Sequence, residues 1–233
     1  MTMLAPEARV AEPADVPRPV APVVSVPEAL PYALPSGRSP TGFPMPHRFT
    51  IEEWRGLSGT VEFEGRKIEM IEGEAFDMAA MMDPHIFALG LSVPLMLRLY
   101  PDRTQFTVDS QVPLWLERSA PEPDLTVTAC PHFTPTAERP LPLFVIEISD
   151  TSYTHDTGRK LRAYASEGVR DYWVLNLNER RLEVYRRPTQ LNGPDGPWGY
   201  ADVTHLGEGE AVTPLEGPRV TIQVAEMLPP VQV

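Results

Sequence analysis

Three charged residues sit at the edges of, or inside, segments that otherwise read as core: Asp124, Glu147 and Lys160. Glu147 interrupts the apolar run from Leu143 to Ile148, rich in β-branched residues, which is the pattern of a strand buried on both faces. A lone carboxylate there costs several kcal/mol unless it is paired, protonated or bound to a metal. Asp124 follows Pro123 and opens the strand-like stretch Asp124–Ala129. Consecutive strands could pair and set the two carboxylates side by side at one sheet end, where they repel unless a cation intervenes. Oxygen donors with no Cys or His cluster point to Mg²⁺ or Mn²⁺ rather than Zn²⁺. Lys160 falls in the first turn of a helix that Asp156 or Thr157 can cap and Gly168 can end. Its ammonium could meet Glu147 above the sheet end, and there orient or help deprotonate a water, or stabilise charge on a phosphate. Asp, Glu and Lys around Mg²⁺ form the set that phosphodiester hydrolysis requires. Each residue alone also has a plain structural reading, with Glu147 in a salt bridge and Lys160 solvated.

The elements that must position these residues are legible in the chain order. Thr50-Ile-Glu-Glu53 matches a capping box and predicts a short helix, Ile51 to Leu57. Short antiparallel strands are expected over Thr60–Glu64 and within Lys67–Met78, the most acidic region, where most carboxylates line a solvated strand face. Asp83-Pro84 predicts a helix with Asp83 as N-cap, Pro84 at its first position and an inner face of Ile86, Leu89, Val93, Met96 and Leu97. Pro94 should kink it, and His85 lies in its first turn, where packing or capping is the ordinary role. Further strands are expected at Gln105–Leu116, Asp171–Leu177, Arg181–Arg186, Trp198–Leu206 and Val220–Val224.

The 233 residues suffice for a sizeable core. A net charge of −12 argues against a protein that coats nucleic acid through general basicity, though not against one local basic face. Cys130 is the only cysteine, so no internal disulfide forms. No apolar run approaches a membrane span and no signal-peptide pattern opens the chain, so no membrane partner is expected and a cytoplasmic location is the default. Prolines recur from Pro6 to Pro46, and residues 1–46 read as a disordered arm ahead of a single domain over 47–233.

Several stretches together resemble the Uma-two family of restriction-endonuclease-like proteins, within the PD-(D/E)XK nuclease superfamily. They are Glu69-Met-Ile-Glu-Gly-Glu74, His85, Glu122-Pro-Asp124, Val145-Ile-Glu147-Ile-Ser149, Asp156-Thr-Gly-Arg-Lys160-Leu-Arg-Ala-Tyr164 and Gly168-Val-Arg-Asp-Tyr-Trp173. The resemblance implies an α/β fold, a restriction-endonuclease-like mixed sheet flanked by helices with extra β-hairpins. It implies that Asp124 and Glu147 are the catalytic carboxylates that hold Mg²⁺ or Mn²⁺. The superfamily's lysine position is Ser149 here, and Lys160 in the following helix matches the family's lysine. Glu69 matches the early glutamate and His85 the early histidine, a supporting residue. Ser149-Asp150-Thr151 stands where the family usually has Ser-Pro-Ser. The expected activity is metal-dependent endonucleolytic cleavage of DNA, by a possible homodimer. The competing expectations are a catalytically silent nucleic-acid-binding or protein-interaction module on the same fold, and a plain structural domain.

Overall fold

A computed structural model of the chain describes residues 46–60 and 65–231. The expected arm and nearly all of the expected strand at Thr60–Glu64 lie outside the described residues. The centre of the fold is a pair of parallel strands, β5 (Phe144–Ser149) and β6 (Asp171–Asn176), both buried along their whole length. Parallel neighbours need a crossover. Here it is α3 (Tyr153–His155), a π-turn (Asp156–Lys160) and α4 (Leu161–Ser166), which run on as one helix. Gly168, at φ +82°, ends it with the bonds Gly168 N–H to Ala165 O and Val169 N–H to Tyr164 O, a Schellman closure.

Antiparallel strands extend this pair on both sides: β3 (Thr107–Asp109) and β4 (Leu125–Thr128) beyond β5, and β7 (Arg181–Gln190) and β8 (Trp198–Gly207) beyond β6. The six-stranded sheet carries a core on each face, as the two-residue period of its strands requires. Phe144, Ile146 and Ile148 pack with Trp173, Leu175 and Met96 against α2 (Asp83–Leu99). Val145 packs with Tyr172 and Val174 against Tyr164 and Ala165 of α4. Glu147 shares the parity of Val145 and therefore faces the crossover helix.

Two small sheets complete the molecule. β1 (Ile68–Ile71) and β2 (Glu74–Asp77) form a hairpin closed by Glu72 and Gly73, both at positive φ, the geometry of a two-residue type I′ turn. A side chain at Gly73 would meet Arg48 Cβ and Phe49 O at 3.0 Å. β9 (Ala211–Val212) pairs with β10 (Ile222–Gln223). Helix α1 (Ile51–Ser58) has the expected Thr50–Glu53 capping box.

Four sequence expectations are corrected. The crossover helix starts at Tyr153, not at Asp156, so Lys160 lies beyond its first turn. Met82, not Asp83, is the N-cap of α2, and Pro84 follows Asp83 inside the helix. The inner face of α2 is Ala88, Ser92, Leu95 and Met96, while Ile86 and Leu97 are exposed with Phe87 and Leu91, and the helix continues through Pro94. The strand expected over Gln105–Leu116 is ordered as a ladder only at β3; Pro113 lacks a donor and Gln111 adopts φ +55°, so the remainder pairs irregularly with residues 119–123.

Candidate active site

The register of β4 and β5 sets Leu125 opposite Ile146, so the next pair outward is Asp124 and Glu147. Their side chains cross over the sheet end. Asp124 Oδ2 accepts the Ile148 backbone N–H at 2.8 Å, and the Asp124 N–H points at Glu147 Oε2 over 3.4 Å. His85, carried by the first turn of α2, donates from Nε2 to Asp124 Oδ1 at 2.9 Å, since a carboxylate can only accept. Burial pushes the Asp124 carboxyl up. The His85 contact, Lys160 and the Ile148 N–H outweigh that and hold it below the usual aspartate range.

Lys160 and Tyr164 are four residues apart on the crossover helix and reach the same target. Lys160 Nζ lies 3.1 Å, and Tyr164 Oη 2.7 Å, from Glu147 Oε1. The ammonium is shared with Glu69 Oε1 at 3.0 Å. Glu69 comes from β1, which joins this part of the molecule through the bridge between Met70 and Ala120. Burial alone would push the Lys160 ammonium down; Glu147, Glu69, Asp156 and Asp124 more than reverse this, and its pKa is raised. Burial raises Glu147 well above the usual range, with Lys160 opposing and the neighbouring carboxylates reinforcing it. Burial also raises Glu69, against the pull of Lys160.

The structure thus gathers all five expected residues, Glu69, His85, Asp124, Glu147 and Lys160, around one pocket. It adds two that the sequence reading did not place in the site. Asp156, buried beside Lys160 at 4.0 Å, accepts hydrogen bonds from Ser149 and Ser152, both at 2.6 Å. Tyr164 positions Glu147. The available signal was the four-residue stripe Asp156, Lys160, Tyr164, a polar seam down an otherwise apolar helix face.

The donor set suits a hard divalent cation. Glu69 Oε2 is buried without a hydrogen-bond partner among the described residues, and the Glu122 backbone only partly opposes the burial that raises this carboxyl. Among the described residues no group of three or more His, Cys, Asp or Glu could hold an ion unaided. Mg²⁺ commonly takes one or two carboxylates and completes its shell with water and substrate phosphate, and Asp124 and Glu147 are the two adjacent carboxylates at this sheet end.

Comparison with known proteins agrees with this architecture. The Uma2 family, described as "Putative restriction endonuclease", matches residues 51–225. The fold is similar to the crystal structure of "a putative nuclease belonging to DUF820" from Anabaena variabilis. That match has a TM-score of 0.55 and 16% sequence identity, covering 77% of this chain and 97% of that one. No curated protein matches the sequence.

Proposed function

Because the chain belongs to the Uma2 family of restriction-endonuclease-like proteins, we propose that it is a metal-dependent endodeoxyribonuclease whose active site is the Asp124–Glu147–Lys160 cluster. The observation that carries this reading is the charge balance of the cluster. Glu69, Asp124, Glu147 and Asp156 are all buried around the single Lys160 ammonium, a burial and crowding of carboxyls that raises Glu147 and Glu69 and that a bound cation would relieve. Asp124 and Glu147 would hold Mg²⁺ or Mn²⁺. Bound there, the ion would supply Lewis-acid chemistry, namely stabilisation of phosphoryl charge and a lowered pKa for a water. Lys160, locked in its protonated form, is an electrostatic group rather than a base, and Glu69 and Glu147 fix its ammonium beside the place where phosphoryl charge develops. Glu69 leaves one oxygen free to accept a proton. His85 holds Asp124, and Tyr164 holds Glu147. Self-association of the chain, which the family resemblance implies, belongs to the same proposal and is read by light scattering.

Two measurements test the reading. With Mg²⁺ or Mn²⁺ the protein should nick supercoiled plasmid or cut single-stranded DNA, and Asp124→Asn should abolish cutting. Divalent ions should also stabilise the wild-type fold, by about 2.7 kcal/mol at a hundredfold excess over Kd. Equal Mn²⁺ thermal shifts for wild type and Asp124→Asn would place the ion elsewhere and overturn the assignment.

A further inference from the structure

The pocket has two unlike walls. One is the charged cluster. The other is five consecutive residues, Met78-Ala79-Ala80-Met81-Met82, the link between β2 and α2. The link has neither strand nor helix structure, yet both ends are tied: Met78 N–H bonds to Lys67 O, and Met82 O accepts from Ile86 N–H in α2. Ala79 and Ala80 are exposed, and Met82 is 60% exposed. Gln111 joins this wall to the chemistry: its Nε2 lies 2.9 Å from Met81 Sδ and 3.4 Å from Asp124 Oδ1. An apolar shelf therefore stands one side chain away from the proposed scissile phosphate. Core packing does not explain it, because much of it faces water.

We propose that this shelf is a subsite for one unstacked nucleobase next to the cleaved bond, and that the substrate is single-stranded or locally unpaired nucleic acid. The proposal deepens the nuclease reading and rests on it. The side chains of Met and Ala offer no donors and only a weak sulfur acceptor, so they cannot read base edges in a groove. They can cover the face of a base, and in an intact duplex that face is hidden in the stack. Thioether sulfur also packs favourably on aromatic rings. The cations of the pocket agree with a short contact. Lys160 is buried and paired, which leaves Lys67 as the lining cation without an ion pair among the described residues. The hairpin's Glu74 pairs with both Arg48 and Arg159, one carboxylate between two guanidiniums, and Asp77 pairs with Arg66, so few described cations near the pocket are unpaired. A long duplex tract needs many unpaired cations along it; one extruded nucleotide does not.

The test uses the full chain with Mn²⁺ and one oligonucleotide sequence in three forms: single-stranded, fully duplex, and single-stranded with an abasic site scanned across the cleaved position. Wild type should cut the single strand at least tenfold faster than the duplex. One abasic position should lower kcat/KM by roughly tenfold, the size of a lost stacking contact. Met82→Ser and Met81→Ser should reproduce that loss on the normal strand and add nothing on the abasic one. Met82 is the N-cap of α2 and makes no side-chain capping bond, so serine there should hold or raise the melting temperature and rule out a folding defect. In parallel, 2-aminopurine at the sensitive position, or scanned along the strand if nothing is cut, reports binding without turnover, and its fluorescence change should vanish in the variants. Cleavage that ignores both the abasic site and the methionines overturns the base subsite and leaves the nuclease reading standing. A methionine-dependent 2-aminopurine signal without cleavage shows that the shelf binds a base but overturns the nuclease reading, and with it the placement of that base beside a cleaved bond. Absence of both signals overturns both.

Discussion

At the scale of single residues, the site is a balance of buried charge that one substitution can upset. Lys160→Met removes the cation shared by Glu69 and Glu147. It should cost about 3–5 kcal/mol of apo stability, because uncompensated buried carboxylates remain. Cleavage should fall by roughly 10²-fold or more. Calorimetric melts of wild type and variant with and without Mn²⁺ check the first part, and the variant should gain more from Mn²⁺ than wild type does. An unchanged melting temperature would show that the ammonium does not carry the balance. Tyr164→Phe is a finer probe. It deletes the 2.7 Å donor to Glu147 without changing shape, and should cost about 1–2 kcal/mol and lower kcat more than it raises KM. The pairing of Asp124 with Glu147 was legible in the sequence because consecutive strands tend to be neighbours, and each carboxylate interrupts or opens a segment that otherwise reads as buried strand. The site of Lys160 was legible, but its place in the helix was not. Asp156 and Thr157 look like capping residues, yet the Asp156 carboxylate accepts the hydroxyls of Ser149 and Ser152, Thr157 donates to Tyr153 O, and the helix begins upstream at Tyr153 without a side-chain capping bond.

At the scale of elements, the β1–β2 hairpin must stay seated on the crossover helix for Glu69 to reach Lys160. Phe76 does much of the seating: its ring lies 5.4 Å from His155, and the Arg159 guanidinium sits 4.9 Å from its centroid. Burial, with help from Lys160 and Arg159, pulls the His155 pKa from 6.5 down to about 4. A histidine depressed in the folded state stabilises it fully above its unfolded pKa. That contribution is lost as pH falls from about 6.5 to about 4. Thermal melts of wild type should therefore lose stability relative to His155→Gln as pH falls across that window; an identical pH dependence in the two proteins would contradict it. The inner face of α2 escaped sequence reading for a different reason. The helix is apolar nearly all round, so periodicity marks no face, and the small residues Ala88 and Ser92 decide which side can approach the sheet. Residues 110–116 escaped it because turn geometry at Gln111 outweighs strand propensity.

At the scale of the whole molecule, a net charge of −12 and the sparse cations at the pocket predict weak dependence of substrate affinity on salt. The slope of log KM against log salt should lie near that of one or two phosphate contacts. A slope steeper than about four would reveal a basic surface elsewhere. No described helix is long and apolar enough to cross a membrane. The mixed sheet with its one parallel pair followed from the apolar runs, the helical spacer and the family resemblance together. The docking of the β1–β2 hairpin against residues 118–120 has no sequence signature, because an isolated bridge leaves no pattern. That docking gives the site an order of assembly. Strands β6 to β8 pair with near neighbours, whereas Lys160 meets Glu69 from 91 positions away and His85 meets Asp124 from 39. Loop closure over such distances is slow. Pulse-labelled hydrogen exchange during refolding should show β6–β8 protected before the hairpin. A chain still leaving the ribosome holds Glu69, 91 positions upstream, well before it holds the lysine that balances it. The Lys160–Glu69 contact cannot form until synthesis has passed the crossover helix and the hairpin has closed back on it, so a partly made chain lacks the assembled cluster on which the proposed cutting depends.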